Sequence, residues 1–91
     1  MAHNSREKPA RLAEKLTQIR NGLGLSQGQM IRQLGYADQL RQSHISAYEL
    51  GTREPSLLVL IRYARVAGVP MEALVDDSMD LPKRLAGRSK H

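Results

Sequence analysis

Cysteine, phenylalanine and tryptophan are absent from these 91 residues, and tyrosine occurs only three times. Without cysteine there is no disulfide and no thiolate metal site. Histidine is confined to His3, His44 and His91, too scattered for a metal cluster, and nothing in the chain implies a cofactor. The scarcity of aromatics weighs against single-stranded nucleic acid, whose bases stack on aromatic platforms. Duplex binding needs no such platform. No apolar run approaches the roughly 20 residues that span a bilayer, and the N-terminus carries no signal-peptide core. A cytoplasmic protein is therefore expected. Strand-like alternation and internal repeats are also missing. So are a nucleophile–base pair and a glycine-rich phosphate loop. Small helical domains rarely enclose a pocket of about 300 Å³ or more, so an enzyme is not expected.

What is present is a short, basic, helix-forming chain. Its length suits one domain and leaves too little for a second hydrophobic core. The net charge is +5, which favours a polyanionic partner. Ten of the fourteen Lys and Arg, against five of the nine Asp and Glu, fall in residues 1–71, so the body is basic by itself. Glu72, Asp76, Asp77 and Asp80 then form an acidic patch. Lys83, Arg84, Arg88 and Lys90 follow as a basic tail.

Residues 1–8 are polar and are expected to form a disordered arm. Pro9 suits the first turn of a helix running to about Asn21, with Leu12, Leu16 and Ile19 on one face. Gly22 and Gly24 supply its stop. Ser26 is a good N-cap for a second helix from Gln27 to Leu34, closed by Gly35. Asp38 could cap a third helix from Gln39 to Leu50, since Gln39 to His44 holds no Gly or Pro. The alternative is a bulging loop with the helix starting near Gln42. The longer helix is the preferred expectation. Pro55 and Ser56 restart the chain, and Leu57, Leu60, Ile61, Ala64 and Ala67 mark a fourth helix ended by Gly68. Pro70 opens a short fifth, Met71 to about Val75, with Leu74 inward. The expected organisation is an all-α, five-helix bundle over residues 9–76, followed by a flexible basic tail at 77–91.

The run Gln18-Ile19-Arg20-Asn21-Gly22-Leu23-Gly24-Leu25-Ser26-Gln27, with Ile45-Ser46-Ala47-Tyr48-Glu49-Leu50-Gly51-Thr52-Arg53-Glu54-Pro55-Ser56, carries a resemblance. It resembles the phage repressor/Cro-like (XRE-like) helix-turn-helix family, and the likeness extends to Val75. The resemblance implies a DNA-binding regulator, with a repressor expected, whose third helix enters the major groove of double-stranded DNA. It implies that Gln27 meets a phosphate at a helix N-terminus. It places Gln42 and Ser43 at base-reading positions, with Ala47 also facing the groove and Ser46 and His44 beside them. Glutamine can bond adenine through N6 and N7. It further implies an ion pair between Arg20 and Glu49 that locks the groove helix to the scaffold. Tyr48 is expected in the core. Arg41 and Arg53 flank the groove helix and are candidate phosphate contacts, with Thr52 adding a further one.

Three features depart from the family pattern. The segment Tyr36 to His44 is longer by about one helical turn than the resemblance implies. Ile31 stands where the family usually has alanine at the helix crossing, and Gly28 costs the same helix about 1 kcal/mol relative to alanine. Leu58 and Val59 stand where relatives tend to be polar. With Val66 they read as an association surface, and a homodimer is expected on two-fold operators. Two rival readings remain open. One is an antitoxin that binds a toxin and represses its own operon. The other is a protein-interaction module with no DNA role. With no second domain, small-molecule sensing is not expected.

Overall fold

Leu12, Leu16 and Ile19 are all buried, and they form the inward face of α1 (Leu12–Gly22) in a computed structural model describing residues 9–85. The remaining helices are α2 (Gln27–Leu34), α3 (Gln42–Leu50), α4 (Leu57–Ala67) and α5 (Met71–Val75). The described chain is all helical, as the pattern predicts. The expected arm at 1–8 and the end of the tail, with Arg88 and Lys90, lie outside the described residues. No helix among them is long and apolar enough to cross a membrane.

α1 is the central element and packs against α3, α4 and α5, while α2 packs against α3 and α4. The core joins Leu16 and Ile19 to Met30, Leu34, Ile45, Leu60, Tyr63 and Leu74, all essentially inaccessible. Ile31 is buried with them. Tyr63 is the largest fully buried side chain, and its hydroxyl has no hydrogen-bond partner among the described residues.

α2 opens with a capping box. Ser26 Oγ accepts the Gln29 N–H at 3.0 Å, and Gln29 Oε1 accepts the Ser26 N–H at 2.8 Å. Two otherwise orphaned donors are thus satisfied reciprocally. α1 has no such device: Pro9 and the two residues after it form a turn rather than the expected first helical turn, and helix begins at Leu12. The N–H groups of Ala10 and Arg11 are met instead by the carboxylate of Asp77, at 2.8 and 3.1 Å.

Asp77 overturns the expectation of a free tail from residue 77 onward. Arg11 Nη1 donates to the carbonyls of Asp77 and Met79, at 3.0 and 3.4 Å, and Nη2 pairs with Asp80 at 2.8 Å. Leu81 and Leu85 are half-buried against the core. Residues 77–85 therefore form a strap along α1. A Cβ on Gly22 would stand 3.0 Å from Leu85 Cδ1, so the absence of a side chain there lets the strap lie close. Beside it, Lys15 is wholly buried and donates to the carbonyls of Ala73 and Asp76 at 2.8 and 2.9 Å. Its ammonium meets the carbonyls at the end of α5, where a cation is favoured.

The extra residues form a loop, and α3 starts at Gln42 rather than at Gln39. The N–H groups of Gln39 and Leu40 turn back to the Tyr36 carbonyl at 2.9 and 2.8 Å. Arg41 is extended, and its N–H is accepted by His44 Nδ1 at 2.9 Å, so His44 and not Asp38 caps α3. Arg62 holds the other end of the loop. Its Nη1 donates to the Leu34 carbonyl at 3.0 Å and its guanidinium lies 4.8 Å over the Tyr36 ring. This favourable cation–π geometry ties the loop to α4.

α4 is rotated relative to its sequence pattern. Val59, Leu60, Tyr63, Ala64 and Ala67 are buried, and Ile61 is half-buried. Leu57, expected inward, is 71% exposed. Val59, expected on an association surface, lies in the core, and Val66 is half-buried against it. Tyr63 explains the turn, because its large ring takes the centre of the inward face. Leu58 remains outside at 65% exposure, now paired with Leu57.

Candidate nucleic-acid interface

The first residues of α2 and α3 are both glutamine, and their side chains meet. Gln42 Nε2 donates to Gln27 Oε1 at 3.3 Å, and Gln27 Nε2 donates to Glu49 Oε1 at 3.3 Å. Glu49 in turn grips Arg20 in a bidentate pair, Nε to Oε2 at 2.6 Å and Nη2 to Oε1 at 3.0 Å. Arg20 Nη1 closes the series on the Leu25 carbonyl at 2.9 Å. The side chains of Arg20 and Glu49 are only 17% and 8% exposed. The hydrogen bonds that Arg20 donates to Glu49 raise its pKa above the ordinary value.

This series fixes which way both amides point. An ionised carboxylate only accepts, so Gln27 must turn its NH2 toward Glu49 and its oxygen toward Gln42. Gln42 must then turn its own NH2 toward Gln27. One N–H and the carbonyl oxygen of Gln42 are left over, a donor and an acceptor side by side at the head of an exposed helix. That pair complements the N7 acceptor and N6 donor on the major-groove edge of adenine.

The other predicted site residues divide. Ser43 is exposed, and Ser46 and Ala47 are half-buried one turn on. At 100° per residue, positions 42, 43, 46 and 47 share one arc of α3. Arg41, at the head of α3, and Arg53, past its end, are exposed. His44 lies on the other side. Its Nδ1 accepts the Arg41 N–H and its ring stacks with Tyr48, centroids 6.5 Å apart, so that nitrogen is taken up in capping α3. Thr52 is exposed, and its N–H and hydroxyl both donate to the Ala47 carbonyl, at 3.0 and 3.3 Å. The hydroxyl proton is thus committed to ending α3. Tyr48 is buried, and burial raises its pKa, with Arg53 opposing.

Sequence reading missed three contributors: Arg62 with Tyr36, Asp77 with Arg11, and the buried Lys15. No local spacing signals any of them, since each pairs residues far apart in the chain. Among the described residues no group of three or more His, Asp or Glu could hold a metal ion.

A family model for helix-turn-helix domains matches residues 11–74, more than half of the chain. The chain belongs to the XRE-type helix-turn-helix family. It is a family of DNA-binding transcription regulators rather than of enzymes. Comparison with curated proteins and with solved structures returns no match. Both α2 and α3 lie within the matched residues. The match ends before the strap.

Proposed function

We propose that this helix-turn-helix protein is a repressor that binds a two-fold operator as a homodimer. Gln42, Ser43, Ser46 and Ala47 face base edges, and Gln27, Arg41 and Arg53 take phosphates. The observation that carries this reading is the Gln27–Gln42 amide pair. A reading side chain is oriented before DNA arrives, and the ordering entropy of a free glutamine is largely removed. Gln27 also stands at the N-terminus of α2, where backbone N–H groups and the helix dipole favour a phosphate. Binding would exclude other proteins from the same groove. Leu57 and Leu58 expose adjacent apolar surface at the start of α4, and a second copy is the expected occupant, with half-sites roughly 34 Å apart.

Selection from random duplexes, followed by footprinting, tests this reading. A two-fold consensus with adenine at one position per half-site is expected. Gln42→Ala should cost about 1–3 kcal/mol of discrimination there and relax that position alone. Selection of no consensus, or an unchanged consensus for Gln42→Ala, contradicts the proposal.

A further inference from the structure

The strap separates its charges. Asp76 accepts from the N–H and hydroxyl of Ser78, at 2.9 and 2.7 Å, Asp77 caps the turn before α1, and Asp80 pairs with Arg11. Both acidic residues of the strap, and Asp76 just before it, are therefore engaged within the fold, the strap's two at the start of α1. Lys83 and Arg84 are exposed at the other end, with no hydrogen bond or ion pair among the described residues. No acidic residue follows Asp80 in the sequence, whereas Lys83, Arg84, Arg88 and Lys90 do.

The position of those free cations follows from two contacts. Leu85 lies against Gly22, and the turn beyond Gly22 folds back on α1. Its Gly24 N–H reaches the Asn21 carbonyl and its Leu25 N–H the Arg20 carbonyl, both at 3.0 Å. Gln27 is five residues from Gly22, so the two α-carbons are at most about 19 Å apart, and less with the turn folded. On one DNA strand phosphates succeed each other about every 3.4 Å of helix axis. The end of the strap at Gly22 therefore lies within about six phosphate spacings of the N-terminus of α2.

We propose that Lys83 and Arg84, carried along α1 by the Asp77–Arg11 clamp, form an added arm that binds DNA phosphates next to those met at the start of α2. The arm lies outside the part of the chain that the family model matches, and it rests on the DNA-binding reading above. It contributes affinity without sequence information, because phosphate contacts position a protein but do not read bases.

The test is the salt dependence of binding by the full chain to its selected duplex, compared with a Lys83→Ala/Arg84→Ala variant. Two lost phosphate contacts should make the log–log slope shallower by about 1.8, at about 0.9 each. The selected sequence should be unchanged, and so should the helical circular dichroism, since neither side chain has an internal partner. Arg65→Ala, which removes a charge from the exposed side of α4, should leave the slope as it was. An unaltered slope in the double variant overturns the arm while leaving the helix-turn-helix reading intact. An equal loss per charge in Arg65→Ala overturns it in favour of overall charge. A full chain that binds no duplex overturns both readings together.

Discussion

Replacing Glu49 by alanine removes the carboxylate that joins α1 to α3 and orients the Gln27–Gln42 amide pair. Arg20 would lose two charge-assisted hydrogen bonds and keep only the Leu25 carbonyl. Breaking a fully buried pair costs about 3–5 kcal/mol, chiefly because the surviving charge is stranded. Arg20 remains 17% exposed, so water recovers part of its solvation. A loss of about 2–3 kcal/mol is expected. Small domains are stable by only about 5–15 kcal/mol, and each kcal/mol moves the Tm of a domain this size by about 4–8 °C. Thermal unfolding followed by circular dichroism should therefore show a fall of about 10–20 °C. Arg20→Met combined with Glu49→Leu should recover most of that loss, since apolar residues of similar volume often replace a buried pair without penalty. DNA affinity should stay low in the double variant, because Gln27 no longer has a carboxylate to orient it. A fall of less than about 3 °C in Glu49→Ala would refute the stability reasoning. Full binding by the double variant would refute the orienting role.

Two further outcomes follow from the loop and the strap. Gly35→Ala combines a left-handed φ of +80° with a Cβ placed 2.6 Å from Arg62 Nη1. The backbone strain alone is about 1–2 kcal/mol, and displacing Arg62 frees the loop, so urea unfolding should show at least that loss; a neutral result would mean the loop does not depend on Arg62. The Ala10 and Arg11 N–H groups hold the Asp77 carboxyl below its usual value of 3.8. Its contribution is therefore present above that value and fades as pH falls through the lowered one. Asp77→Asn should be less stable than the unaltered protein at neutral pH, and the difference should close in strong acid. A difference that does not begin to shrink as pH falls below 3.8 would show that the carboxylate charge is not what holds the strap.

The helices were legible wherever the signal is local. Ser26 capped α2 as its spacing predicts, Gly35 and Gly68 ended their helices at the expected places, and α3 ended at Leu50 as expected. Arg20 and Glu49 stand together in the structure, where the family resemblance rather than any spacing had placed them. Failures came where distant residues decide. Asp38 looked like a cap, but His44 reached back to the Arg41 N–H, and histidine is not among the usual capping residues. Val59 looked superficial because relatives tend to be polar there, and the inward face of α4 was counted without Tyr63. The strap was read as free because polar, aperiodic sequence carries no sign that its acids have partners 66 or more residues away. The Gln27–Gln42 contact shows the same limit from the other side: two plausible site residues were named singly, and only the fold joins them.

Tyr63 gives the molecule a built-in optical reporter. With neither Trp nor Phe in the chain, the aromatic absorption belongs to three phenols. Burial drives the Tyr63 pKa far above its ordinary 10.0, so its phenolate forms only when the interior opens. The unfolded chain gives up that proton near 10.0, and alkali above this point therefore draws the protein toward opening. The late part of its tyrosinate spectrum registers the loss of the native interior without any attached dye.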